Sequence, residues 1–328
     1  MNSFGRNFRV SIFGESHGVG LGVVIDGVPA GIPLAGADLM ADIDRRRSGA
    51  RGTTPRKEAD LPEIVSGLFN DHTTGAPLTI LFRNENTISN DYRNLVTHPR
   101  PSHADWVAGQ KFGGWADYRG GGHFSGRLTL ALVAAGVVAK KVLDGVAISS
   151  RILEIGGCTD PAGFADVVEA ALRSHDSVGG LVEVRAEGVA VGWGEPFFDS
   201  AEACISHMVF SVPAVRGIEF GTGFAAARMR GSEHNDPIAD ASGHTATNHA
   251  GGVVGGITNG NPIVFRVAMK PTASIAAPQQ TLNTETGGID ELRIRGRHDA
   301  CIALRAPVVL EAAAAIALAD LKLTARTR

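Results

Sequence analysis

Residues 128–139, Leu-Thr-Leu-Ala-Leu-Val-Ala-Ala-Gly-Val-Val-Ala, form a run that is apolar on every side and is followed by Lys140, Lys141 and Asp144-Gly145. Lysines in a last turn and a glycine just beyond mark a helix C-terminus. A helix with no polar face has to be buried, and Ala134, Ala135 and Gly136 at its middle predict close packing against another element. Whatever fold the chain adopts must therefore enclose this helix. Its N-terminus then lies deep, with free N–H groups aimed at what precedes it. What precedes it is Asp117-Tyr118-Arg119-Gly120-Gly121-Gly122-His123-Phe124-Ser125-Gly126-Arg127. Three glycines allow close backbone approach, and Arg119, His123 and Arg127 add charge or proton chemistry, the makings of an anion site. A glycine-rich turn ahead of a core helix is the plainer alternative, since this is neither a Walker nor a dinucleotide fingerprint.

The rest of the chain can supply that enclosure. At 328 residues with 44% hydrophobic content, its 42 glycines point to backbone packing rather than disorder. A net charge of −3 gives no global field for nucleic acid. The arginines cluster instead, at 45–47, 51 and 56 and again at 293–297, which suits a small anionic ligand. Cys158, Cys204 and Cys301 are scattered, without a C-x-x-C pair, so neither a disulfide framework nor a zinc site is expected, and a reducing cytosol is. Residues 1–9 carry no apolar signal region, and runs 128–139 and 306–319 are shorter than the ~20 residues of a membrane span.

In order, Phe8–Phe13 and Leu21–Ile25 read as strands flanking Gly14-Glu15-Ser16-His17-Gly18, a loop that sets three polar side chains at a sheet end. Ala37–Arg47 reads as a helix closed by Arg45-Arg46-Arg47, and Arg51 and Arg56 follow in a Gly/Thr/Pro loop able to bind phosphate or carboxylate. A solvated charge run is the alternative there. Ile64–Leu68 and Leu78–Phe82 read as strands, and Asn84–Leu95 as irregular. In His98-Pro99-Arg100-Pro101-Ser102-His103, Ser102 is the natural N-cap of a helix from Trp106, which puts His103 in a first turn where the dipole favours neutral imidazole. Val146–Ile155 and Leu181–Val191 read as strands around a helix opened by Asp160-Pro161. Ser200–Met208 is helical, with short strands and turns over 210–223. Ile263–Met269 alternates as a strand and ends in Lys270-Pro271-Thr272-Ala273-Ser274, where a lysine and two hydroxyls can hold phosphate. Pro307–Leu321 is a closing Ala/Val helix. Weak self-similarity between residues 26–31 and 187–192, each following a strand, hints at two related β-rich halves, with no boundary dividing the chain.

Five stretches in this order resemble the chorismate synthase family: Phe13-Gly14-Glu15-Ser16-His17-Gly18, residues 99–105, residues 117–122, Asn248-His249-Ala250-Gly251-Gly252, and Gly296-Arg297-His298-Asp299-Ala300-Cys301. The resemblance spans essentially the whole chain. It implies one α/β (α+β) domain over residues 1–328, a β-α-β sandwich with an internal pseudo-repeat, assembled as a cytosolic homotetramer. It implies reduced FMN as cofactor and 5-enolpyruvylshikimate-3-phosphate as substrate, with 1,4-anti elimination of phosphate giving chorismate. By the same resemblance His17 protonates the leaving phosphate, His103 the reduced flavin, and Asp299 helps flavin N5 take the ring proton. Arg46, Arg51 and Arg127 hold substrate anions. Flavin contacts fall to His123, Phe124, Ser125, Ala214, Gly255, Lys270, Pro271, Thr272, Ala273, Ser274 and Arg297. No dinucleotide fingerprint is present, so an external flavin reductant or an NADP-linked one stays open. The chain departs from the family's usual Arg-Ser-Ser-Ala-Arg-Glu-Thr at residues 123–129, where it has His-Phe-Ser-Gly-Arg-Leu-Thr, and has Pro213-Ala214 for Asn-Ala. Two rivals remain beside the enzyme: a non-catalytic flavin- or phosphometabolite-binding protein on the same fold, and a metal-dependent phosphohydrolase built on the eleven histidines.

Overall fold

The structure is a computed structural model that describes residues 2–87, 89–294 and 298–326; the expectation placed on Arg297 lies outside them. The central helix, Thr129–Leu143, is buried along nearly its whole length, and the closing helix, Ala306–Arg326, packs against it. Gly136 is where they touch: a Cβ there would fall 2.3 Å from the Ala312 Cβ. The small-residue patch in the sequence thus sets the closest approach of the two helices.

An antiparallel sheet lies on each side of this pair. In the first sheet the strands run Arg9–Gly14, Gly20–Asp26, Leu78–Arg83, Glu63–Ser66 in spatial order, with Ser3–Phe4 added at one edge. In the second the spatial order is Ala147–Ile155, Gly180–Glu187, Ile263–Met269, Val215–Phe220. Read along the chain, the two orders match except for one insertion: an antiparallel strand pair, a helix, an edge strand, a return strand, then a buried helix, with the extra helix Phe164–Arg173 between the paired strands of the second half. Gly36–Arg46 occupies the helix position in the first half and Ala201–Phe210 in the second. The related turns at 26–31 and 187–192 fall at the same place in each half, where Gly27 and Gly188 both take left-handed backbone (φ 80° and 78°).

Alternation along the strands explains the layering. Leu21, Val23 and Ile25 of one hairpin and Val182, Val184 and Ala186 of the other are fully buried toward the helices. The resulting core runs without interruption from one sheet through the helices to the other. No described helix is long and apolar enough to cross a membrane.

Two local expectations change. The helix predicted from Trp106 begins at Asp105, but its cap is Ala104 and not Ser102, which is left-handed (φ 56°). His103 therefore precedes the helix instead of lying in its first turn. The segment read as strand and turn from Phe210 is helical through Phe210 and enters its strand only at Val215.

Candidate active site

One cavity of about 830 Å³ opens beside the entry to the central helix. That is near the upper end of the ~300–1,000 Å³ usual for small-molecule sites. Among the described residues nine lysines and arginines line it, against three carboxylates, Glu58, Asp60 and Asp299, so it is built for a polyanion.

The first half of the fold supplies its deepest wall. The glycine turn binds the Glu15–His17 loop through the Ser16 N–H and the Gly122 carbonyl (3.1 Å). Gly120 touches that loop so closely that a Cβ would lie 2.5 Å from the His17 ring and 2.7 Å from Ser16 Oγ. Only glycine fits, which explains part of the triplet. His17 is buried just behind the lining, its ring edge-on to Tyr92 at 5.2 Å. Arg56 reaches the Ser16 hydroxyl (3.0 Å) and carbonyl (3.1 Å) and pairs with Glu58.

Arg46 and Arg127 are both buried. Arg46 donates to Thr129 Oγ1 (3.0 Å) and to the carbonyls of Gly126 and Arg127, so it closes the helix entry as well as facing the cavity. Burial and the nearby Arg305 and Arg127 pull its pKa down to about 9, against Asp60, and it stays charged at neutral pH. Arg127 donates to Asp60 (2.9 Å) and to Asn84 Oδ1 (2.6 Å), and the Asn84 amide holds the carbonyls of Glu15 and Gly18 at 2.9 Å each.

His103 belongs to a second cluster. Its Nδ1 lies 2.6 Å from Asp105 Oδ1, which also accepts from Arg100 Nη2 at 2.7 Å. Asp105 thus takes the Nδ1–H and leaves Nε2 as the basic nitrogen, beside Gly121. Burial alone would raise the Asp105 carboxyl, but hydrogen bonds from Arg100 and His103 hold it well below the usual range. His298 stands on the same wall, with its Nε2 buried and without a hydrogen-bond partner among the described residues. Burial, then Arg100 and His103, push its pKa down to about 4 against the pull of Asp299. Asp299 accepts from the Thr54 N–H (2.7 Å) and from Arg305 (3.1 Å), whose Nε holds the Arg46 carbonyl at 2.9 Å.

His103, Asp299, Arg46, Arg127, His123, Phe124, Ser125, Ala214 and Lys270 through Ser274 all line this one cavity. His123 Nδ1 lies 2.9 Å from the Gly14 carbonyl, and Phe124 packs on Phe112 at 6.3 Å between centroids. Ser125 caps the turn before the helix. His17 lies just behind this lining, and two further residues are not brought to it. Arg51 is exposed and paired with Glu169, and Gly255 lies on an exposed hairpin turn outside the lining. The Asn248–Gly252 stretch is likewise outside the lining. Sequence reading gave no role to Asp60, Asn84, Asp105, Arg305 or Arg216. A lone carboxylate or amide carries no spacing signal; only the positions of its partners single it out.

Comparison with known proteins gives the family. The chorismate synthase family model matches residues 8–323. A chorismate synthase of Chitinophaga pinensis is 64% identical over 324 residues, covering 98% of this chain and 97% of that protein. One from Korarchaeum cryptofilum is 45% identical over 346 residues, covering 97% and 96%. A crystal structure of chorismate synthase matches with a TM-score of 0.75 at 28% identity, over 98% of this chain and 93% of the other. The chain belongs to the chorismate synthase family, lyases that form chorismate on the shikimate route to the aromatic amino acids.

Proposed function

We propose that the cavity takes 5-enolpyruvylshikimate-3-phosphate together with reduced FMN and that the chain catalyses the 1,4-anti elimination of phosphate, yielding chorismate with no net redox change. The observation that carries this reading is the nine-to-three excess of cations around a cavity roomy enough for two small ligands. The substrate brings a phosphate and two carboxylates, and the cofactor a further phosphate. When bound, the reduced flavin supplies an electron-rich ring system beside the substrate.

The chain's own groups divide the remaining work. Phosphate departure needs an acid and fixed positive charge, and C–H cleavage needs a base shielded from water. His17, close-packed by Gly120 and Tyr92, is the acid for the departing phosphate. Arg46 and Arg127 hold the substrate's anionic groups, already oriented by Thr129, Asp60 and Asn84. His103 carries a proton at Nε2 toward the cofactor, its tautomer set by Asp105. Asp299, kept beside Arg305, is the carboxylate that would assist transfer of the substrate's ring proton to the cofactor. Arg51 reaches an anion only by leaving Glu169; unchanged substrate affinity in Arg51→Ala returns it to a surface pair.

The cofactor contacts proposed are Ser125, Ala214 and the 270–274 run, with His123 and Phe124 replacing the family's more usual basic and small pair. Gly255 and Arg297 complete the set carried over from the family. The whole chain acts as one domain, in the cytoplasm, and assembles as a homotetramer. Trp115, Phe197 and Phe198 are 93%, 88% and 93% exposed, the kind of surface that subunit contacts cover. Light scattering reads the assembly directly.

The test is an anaerobic assay with chemically reduced FMN and substrate. Chorismate and inorganic phosphate should appear together. Binding without product would make the chain a non-catalytic flavin or phosphometabolite binder. Running it with and without a nicotinamide nucleotide and an external reductase shows where reduced flavin comes from.

A further inference from the structure

The turn that carries His17 is held from the side by one amide. Gly20 pairs with Arg83 in the first sheet, and Asn84 follows directly, its N–H on the Val19 carbonyl at 3.1 Å. That sets the Asn84 side chain against the Glu15–Gly18 turn, which closes on itself through the Gly18 N–H and the Glu15 carbonyl (3.3 Å). The amide nitrogen donates to the carbonyls at both ends of that turn, Glu15 and Gly18, each at 2.9 Å. Ser16 and His17 are the two residues between them. The amide oxygen faces the other way and accepts from Arg127 Nε at 2.6 Å. The orientation is forced, because two carbonyls need the NH2 group and a guanidinium needs the oxygen.

The link is rigid at both ends. Glu58 accepts from the N–H groups of Glu85 (3.0 Å) and Asn86 (3.2 Å), which fixes the backbone just after Asn84. The same carboxylate pairs with Arg56, whose guanidinium holds the Ser16 hydroxyl. Arg127 gives one Nη1 hydrogen to Asp60, and its Nη2 lies 3.4 Å from the Arg83 carbonyl. A guanidinium has five N–H groups. With Nε on Asn84, donors remain on both terminal nitrogens of a residue that lines the cavity. An anion resting on Arg127 is therefore one side chain away from the turn that carries His17. Satisfying two carbonyls is the structural part of what Asn84 does; the bond to Arg127 goes beyond it.

We infer that Asn84 is a positioning residue for the reaction, holding the His17 turn in register with Arg127 so that the acid is in place when the substrate's anionic group sits on the arginine. The inference rests on the roles proposed above for His17 and Arg127. Asn84 is outside the cavity lining and acts through the two groups it joins. Such a role carries weight because a misplacement of about 1 Å can cost roughly 10²-fold in rate.

The experiment is anaerobic steady-state kinetics with reduced FMN on full-length wild type, Asn84→Ala, Asn84→Asp, His17→Ala, and each Asn84 change combined with His17→Ala. Aspartate has nearly the same shape and still accepts from Arg127, but it cannot donate to the two carbonyls, so it cuts the link on the His17 side alone. Both Asn84 variants should lower kcat by roughly 10–100-fold. KM should rise in Asn84→Ala, where Arg127 loses its Nε partner, and stay within about twofold in Asn84→Asp, where it does not. On the His17→Ala background either change should cost no more than about twofold further, because residues that act as a unit are not additive. An asparagine that only supports the fold would add its full loss to that of His17→Ala. Rates are compared per folded molecule, by circular dichroism, and either Asn84 variant alone completes the cycle. Additive losses overturn the inference, as does wild-type kcat in Asn84→Asp. If His17→Ala alone turns over like wild type, the reading of His17 fails and takes the inference with it; with that reading intact, the Asn84 variants alone decide.

Discussion

The two halves of the molecule repeat one topology but treat charge in opposite ways. The first half pairs its charges. Arg46, Arg127 and Asp60 are buried together, Arg56 bonds Glu58, and Arg83 bonds Glu63 at the sheet corner. At the same corner the second half sets Arg216 beside Lys270 with no acid between them among the described residues. The difference teaches what a cation is for. A paired buried charge has spent its electrostatic energy on the fold and can only present a fixed geometry. An unpaired one keeps its desolvation cost outstanding until an anion arrives. The first half accordingly presents its cavity cations, Arg46 and Arg127 among them, in a fixed geometry, while the second-half corner leaves two cations side by side.

The largest effect should come from breaking the first half's proton handling. His17→Ala and His103→Ala should each cut turnover by roughly 10²–10⁴-fold, the usual contribution of a positioned acid or base. Steady-state rates under anaerobic conditions read this out, with circular dichroism to confirm folding. Wild-type turnover in either variant removes that histidine from the chemistry and blurs the division between halves.

Next in size is the buried charge cluster. Asp60→Asn keeps the volume and tolerates the left-handed backbone at this position (φ 48°), but strips Arg46 and Arg127 of their counter-ion. Breaking a buried pair this way costs about 3–5 kcal/mol, seen in urea unfolding. Arg216→Ala, removing a cation that has no acidic partner among the described residues, should stay within ~0.5 kcal/mol of wild type. Equal losses at both places would mean that the contrast in pairing has no energetic content.

Much of the scaffold was legible because it rests on local pattern. An apolar run with a lysine-glycine finish can only be a buried helix, and Ile263–Met269 alternates so cleanly that its strand ends where the pattern stops. The repeated turns at 26–31 and 187–192 carried the duplication in miniature. The histidines and Asp299 were legible only through motif resemblance. What stayed hidden depends on register and distant partners. The Arg216 bulge exists because Val215 meets Met269, more than fifty residues away, and a shift of one residue leaves no trace in composition. Ser102 looked like a cap because its residue type fits, but the Arg100–Asp105 bonds accompany a left-handed turn there, and Ala104 takes the cap position. Arg51 read as part of an anion-binding loop because it neighbours Arg46 in sequence, and a glutamate on another helix claims it instead.

A smaller effect, in pH, should separate His298 from the paired groups around it. Its folded pKa of about 4 lies below the ~6.5 of a free imidazole, so between those values the unfolded chain binds the proton and the native state does not. The stability it contributes is complete above about pH 6.5 and drains as pH falls to 4. His298→Gln should flatten that part of the stability profile, measured by thermal melts from pH 7 to 4. An identical slope in wild type and variant would place the acid sensitivity elsewhere, with Asp105 the next candidate: its depressed carboxyl also loses stability on acidification, at lower pH.

The smallest effect tests the corner that is closed. Glu63 and Arg83 are about half exposed, at 49% and 53% for their side chains. In water such a pair is worth ~0–1 kcal/mol, because solvent screens the attraction and ordering two long side chains costs entropy. Glu63→Gln should therefore shift the unfolding midpoint only slightly, and the shift should vanish in high salt. Its value lies in what it creates: a first-half corner with a free arginine, matching the second half in charge but lacking its cavity. If free cations alone were enough to hold a phosphate, this variant would gain an FMN-over-riboflavin preference at a new site, seen as a second binding event in a flavin titration. A single binding event, as in wild type, shows that a free arginine without a cavity beside it holds no phosphate.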